Sequence, residues 1–137
     1  MHKILLAEDD NDMRRFLVKA LENAGFQVSS FDNGMSAYQR LREEPFEMLL
    51  TDIVMPEMDG IEATRRLRDM ERADGSPRTP VVMLTANALD EHVRASFECG
   101  ADLHLTKPIS AEELVSTLAA VTAGGGFAQP VSLDGAA

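Results

Sequence analysis

Five short apolar runs, each separated from the next by a longer amphipathic stretch, constrain this chain more than any other feature in it. They are "KILLA" (3–7), "FQVSSF" (26–31), "EMLLT" (47–51), "VVMLT" (81–85) and "LHL" (103–105). Most are apolar throughout, as strands covered on both faces are. Between the first two, Met13, Phe16, Leu17, Ala20, Leu21 and Ala24 recur at three- and four-residue steps, which defines a helix face, and Gly25 supplies its stop. Asn33-Gly34 opens a second helix to about Glu44, where Pro45 ends it. Ile61, Thr64, Leu67 and Met70 mark a third after Gly60, and "RADGSPRTP" follows as a loop. Leu89, Val93 and Phe97 give a fourth helix, stopped by Gly100. Ser110 with Glu113 matches a capping box, so a fifth helix is expected over about 111–122.

Strand–helix alternation of this kind implies an α/β, doubly wound parallel sheet with helices on both faces. Right-handed crossovers then bring every strand's C-terminal end to one edge, where such folds bind ligands. A chain of 137 residues suffices for one such domain, expected over 1–122. The remainder, "AGGGFAQPVSLDGAA" (123–137), reads as a flexible Gly-rich tail.

Composition narrows the function classes. Thirteen basic against 23 acidic residues give a net charge of −10, with no basic patch to neutralise phosphates, so no DNA or RNA partner is expected. A cationic ligand suits the charge better. The single cysteine, Cys99, excludes an internal disulfide and reads as a small packing residue. No apolar run approaches a membrane span and no signal-like segment opens the chain, so no membrane association and a cytoplasmic location are expected.

Four strand ends carry polar groups with chemical potential. The first ends in Glu8-Asp9-Asp10, the third in Asp52, the fourth in Thr85 and the fifth in Thr106-Lys107-Pro108. On one sheet edge these groups converge. Clustered carboxylates repel unless a cation balances them, and oxygen donors without Cys or His pairs suit hydrated Mg²⁺. Lys107 adds a fixed charge and Thr85 a hydroxyl for phosphoryl oxygens, with Asp52 as nucleophile. Taken singly, each residue has a plainer role: Asp10, Asn11 or Asp12 can cap the first helix, Lys107 can be a solvated lysine, and Thr85 a β-former. Their joint placement favours the phosphoryl chemistry.

The motifs "ILLAEDD", "LLTDIVMPEMDG", "LTANA" and "LTKPIS", in this order and spacing, resemble the receiver domain of bacterial two-component response regulators over about residues 2–122. The resemblance implies a CheY-like, flavodoxin-like (βα)5 fold with strand order 2-1-3-4-5. It implies Asp52 as phospho-acceptor, Asp9 as a direct Mg²⁺ ligand, Glu8 as a ligand through water, and the Val54 backbone carbonyl completing the protein ligands. Thr85 matches the switch hydroxyl, Lys107 the phosphate-contacting lysine, and Pro108 a cis proline. His104 stands where the family commonly has Tyr or Phe. It reads either as an unusual switch ring or as a strand residue half exposed at a sheet edge.

The implied partners are a histidine kinase or histidine phosphotransfer protein as donor and an unidentified output protein, reached through the face of the fourth helix, fifth strand and fifth helix. The chain has no room for a DNA-binding domain beside the receiver, so output is expected through protein contacts or onward transfer. Arg14 and Arg15, near the mouth of the site, read as donor-docking cations or as a solvated helix face. Val54 and Asn87 flank the acceptor; an apolar Val54 cannot serve as acid or base. Met48, Met55, Met58, Met70 and Met83 read as core or rim.

The first half resembles stand-alone alphaproteobacterial receivers, a group linked to cell-cycle control and regulated proteolysis. The second half resembles receivers of hybrid histidine kinases, a combination that suits a natural intermediate, an excised domain or a chimera. Haloacid dehalogenase-type phosphatases use a similar strand-end Asp, Mg²⁺, Thr and Lys. They carry a second Asp two residues after the nucleophile, where this chain has Val54, so a switch rather than an enzyme is expected. A phosphate-independent interaction module is the remaining alternative.

Overall fold

All five apolar runs form strands, paired in parallel in the order second, first, third, fourth, fifth. The computed structural model describes residues 2–55, 57–85 and 91–123, and side chains at all of these except 91–93, 96 and 123. In chain order the elements are β1 (Lys3–Ala7), α1 (Asn11–Asn23), β2 (Gln27–Phe31), α2 (Gly34–Glu43), β3 (Met48–Asp52), α3 (Gly60–Asp74), β4 (Val81–Thr85), α4 (Glu91–Cys99), β5 (Leu103–Thr106) and α5 (Ala111–Ala123).

Because successive strand residues point to opposite faces, each strand feeds two cores. Ile4 and Leu6 of β1 join Leu17 and Leu21 of α1 and Leu114 and Leu118 of α5 on one side. Leu5 and Ala7 join Ala37 and Leu41 of α2, Leu67 of α3 and Cys99 of α4 on the other. The central strands β1, β3 and β4 are buried almost throughout, which is why they read as unbroken apolar runs. Met48, Met55, Met58 and Met83 are buried and Met70 packs against the core, as expected of that set.

Helix starts follow local side-chain chemistry. Asp10 caps α1 by accepting the Met13 N–H at 3.0 Å, Asn33 caps α2 from Ser36 at 2.8 Å, and Asp59 caps α3 from Glu62 at 2.8 Å. Ser110 accepts the Glu113 N–H at 3.0 Å ahead of α5. Four strand limits differ by a residue from the sequence reading, one of them the start of β3, at Met48 rather than Glu47. Phe26 donates to the Leu21 carbonyl and so belongs to the end of the helix, while β3 extends through Asp52 and β5 through Thr106. Asn87, Leu89 and the Gly-rich tail beyond Ala123 lie outside the described residues, as does the Val93 side chain.

At the N-terminal edge of the sheet, Arg68 of α3 is 5% exposed and Asp102, ahead of β5, is fully buried. Arg68 donates to Asp102 and Glu71 at 2.9 Å each and to the carbonyls of Thr79 and Gly100. Gly100 has a φ of +114°, and a Cβ there would meet Arg68 Cγ at 2.9 Å, so a side chain is excluded on both counts. This network fastens the α3–β4 and α4–β5 loops together, opposite the edge that gathers the reactive groups.

Candidate functional site

Register decides which groups meet at the C-terminal edge. Ala7 is paired with Thr51, so Glu8, the next residue of the first chain segment, lies beside Asp52, the last residue of β3. Thr85 is paired with Thr106, which sets Lys107 one step beyond the end of β4. The Lys107 N–H donates to the Thr85 carbonyl at 2.7 Å and closes that corner. The Lys107–Pro108 peptide is cis, matching the expected cis proline.

From β5 the lysine side chain reaches across the sheet edge. Its Nζ donates to Glu8 Oε1 at 2.8 Å and to Asp52 Oδ2 at 3.2 Å. The other Asp52 oxygen, Oδ1, accepts the Ile53 N–H at 3.0 Å. Ligand oxygens of Glu8, Asp9 and Asp52 all lie within 4.8 Å of one another. Glu8 is fully buried, Asp52 half-buried and Asp9 exposed, so the cluster opens to solvent on the Asp9 side. Close packing behind it leaves no slack: a Cβ on Gly60 would lie 2.3 Å from the Asp52 carbonyl oxygen.

The electrostatics are those of a site short of positive charge. Burial pushes the Glu8 carboxyl up to about 7; the Lys107 hydrogen bond opposes the shift and the Asp52 charge adds to it. For Lys107, burial works against the ammonium, but the Glu8 hydrogen bond and the Asp52 and Glu8 charges outweigh it and hold the pKa above its ordinary value. One ammonium thus serves two of three carboxylates. The donor set is all oxygen, partly open and over-supplied with negative charge, and it fits a small hydrated divalent cation.

The remaining expected residues fall around this centre. Thr85 ends β4 with 4% exposure. Val54 follows Asp52 by two residues and its side chain is 63% exposed, so only its backbone can serve a ligand. His104 lies on the edge strand β5 yet is buried, not half exposed, with its ring 4.1 Å from that of Phe97 of α4 and inclined at 57°. Burial lowers its pKa to about 4, so the ring is neutral at pH 7.

Arg15 is exposed and pairs with Asp12 in a solvated contact at 2.5 Å. Arg14 has a role that its sequence position does not announce: its guanidinium donates to the Glu8 carbonyl at 2.9 Å and to Asn11 Oδ1 at 2.6 Å. Helix side chains lean toward the preceding turn, and that tendency is the one signal that could have located it.

Known proteins with this arrangement are numerous. The chain is 73% identical over 71 residues to the response regulator receiver protein CpdR of Brucella abortus, a stretch covering 52% of this chain and 59% of CpdR. It is 35% identical over 114 residues to the transcriptional regulatory protein SrrA of Staphylococcus aureus, covering 83% of this chain and 45% of SrrA. The chain thus spans about half the length of the curated relatives it matches.

Among solved structures, it superposes with a TM-score of 0.81 on the receiver domain of a Pseudomonas aeruginosa sensor histidine kinase, described with a magnesium ion coordinated in its active-site cleft. That pair is 29% identical over 89% of this chain and 98% of the other. A receiver domain of a Syntrophus aciditrophicus histidine kinase gives the same TM-score at 30% identity, covering 97% and 98%. The family model for the response regulator receiver domain matches residues 4–119, and with the strand order and strand-end groups described above this chain belongs to that family.

Proposed function

We propose that the domain is a phospho-acceptor switch in which Asp52 takes a phosphoryl group from a phosphohistidine donor. The observation that carries this reading is the meeting of Asp52 with Lys107 at 3.2 Å beside the Glu8 and Asp9 carboxylates. An Asp52 carboxylate oxygen attacks phosphorus, the donor's P–N bond breaks, its electron pair stays on the imidazole nitrogen, and an acyl phosphate P–O bond forms. Lys107 balances charge on the transferred group, and the Thr85 hydroxyl contacts one of its oxygens.

Glu8, Asp9, Asp52 and the Val54 carbonyl would hold Mg²⁺, which supplies charge neutralisation for the phosphoryl oxygens when bound. The donor is a histidine kinase or phosphotransfer protein, and the domain is a switch or phosphorelay intermediate rather than a turnover enzyme. Val54, where a phosphatase of the haloacid dehalogenase type has its acid, supports that distinction. Output runs through α4, β5 and α5, with Thr85 and His104 as the moving parts.

Incubation with acetyl phosphate and Mg²⁺ tests this reading. Intact mass should rise by one phosphoryl group in the unaltered chain and not in Asp52→Asn. No adduct, or an equal adduct on the variant, overturns it.

A further inference from the structure

Among the described residues, no hydrogen bond or ion pair holds the Asp9 carboxylate, in contrast to those of Glu8, Asp10 and Asp52. Where that carboxylate stands is therefore set by the backbone around it, and one residue grips that backbone on both sides. Arg14 Nη1 donates to the Glu8 carbonyl, the peptide oxygen immediately before Asp9, at 2.9 Å. The Arg14 backbone N–H donates to the Asp10 carbonyl, immediately after Asp9, at 2.9 Å. Arg14 Nη2 is steadied by Asn11 Oδ1 at 2.6 Å, and the Asp10 N–H donates to Glu8 Oε2 at 3.2 Å. The planar guanidinium thus spans the β1–α1 turn and ties it to the first turn of its own helix, which a flexible ammonium would do less well.

We infer that Arg14 is a positioning residue for the cation site, fixing the loop so that Asp9 faces Glu8 and Asp52. The inference rests on the reading of those three carboxylates as a metal site. Two effects of Arg14 have opposite signs. Its positive charge beside the cluster repels a divalent cation, so on charge alone its removal tightens metal binding a few-fold. Its grip on the loop orders a ligand, and losing partners of that kind typically weakens metal binding by about 10–100-fold. The guanidinium bond to the Glu8 carbonyl, next to an otherwise unheld ligand, is lost on substitution while the helical backbone bond to Asp10 is kept, and it makes the second effect the larger.

The test uses the full chain with Arg14→Met, which keeps the apolar stem and removes the charge and donors, and Arg14→Lys, which keeps the charge on a single donor nitrogen without the planar fork. Calorimetry with Mg²⁺ alone should give an affinity about tenfold weaker for Arg14→Met and an intermediate one for Arg14→Lys. Amide hydrogen exchange at Asp10 and Met13, whose N–H groups are hydrogen-bonded within the loop, should quicken in metal-free Arg14→Met, while exchange in β3 and β4 stays unchanged. Equal or tighter Mg²⁺ binding by Arg14→Met overturns the inference, even if exchange quickens. Mg²⁺ binding by Asp9→Asn as tight as by the unaltered chain, or no binding by the unaltered chain, overturns the reading of the site and the inference together.

Discussion

His104 occupies a position where neutrality is enforced by its surroundings. With its pKa lowered to about 4 by burial, against an ordinary 6.5, the folded chain binds fewer protons there than the unfolded chain between those values. Stability from this residue is complete above pH 6.5 and drains away as pH falls toward 4. The loss between about pH 7.5 and about pH 5 comes to about 2 kcal/mol. Urea midpoints of the unaltered chain should therefore fall more steeply over that interval than those of His104→Phe, which keeps a ring against Phe97 and cannot titrate. Parallel declines in the two proteins would place the pH dependence elsewhere. A phenyl ring at this position would be indifferent to pH, so the histidine adds a proton-sensitive element to a strand proposed to carry the output.

The elements show what a sequence reveals and what it withholds. Strands β1, β3 and β4 are legible because both of their faces are covered, so residues 4–6, 49–50 and 81–84 read as unbroken apolar runs. The site residues are legible for a related reason: in a parallel sheet the position after a strand fixes the edge, and Glu8, Asp52, Thr85 and Lys107 all follow or end one. The Arg68–Asp102 pair is not legible. Its members lie 34 residues apart, on a helix and in a loop, and either charge alone reads as a solvated surface group.

Yet Asp102 accepts from Arg68 at 2.9 Å, from Arg78 at 2.6 Å and from the Val81 N–H at 2.9 Å. Asp102→Ala leaves a buried guanidinium short of its partner and should cost about 3–5 kcal/mol in chemical denaturation. The double variant Arg68→Met/Asp102→Ala should cost less than the sum of the two single changes, because the second removes a charge already stranded. Strict additivity would mean that the two side chains hold the loops independently.

Across the whole molecule, the two edges of the sheet are built on opposite electrostatic terms. At the N-terminal edge, buried acids are matched by Arg68 and Arg78. At the C-terminal edge, Lys107 is shared by Glu8 and Asp52 and the Asp9 carboxylate has no cation of its own among the described residues, within a chain of net charge −10. Folding therefore brings like charges together at one pole without fully balancing them, and a divalent cation that binds only the folded arrangement must stabilise it. At a hundredfold excess of free ion over its dissociation constant the gain is about 2.7 kcal/mol, which for a domain of this size raises Tm by roughly 8 °C. Mg²⁺ should produce that rise in the unaltered chain, and Asp9→Asn should lose most of it. Sodium chloride at matched ionic strength should give only a small change, since general screening acts weakly on a pair as short and half-buried as Lys107 and Asp52. If sodium chloride reproduced the full effect of Mg²⁺, the strand-end carboxylates would be relieved by screening alone, and the proposed metal site would fall.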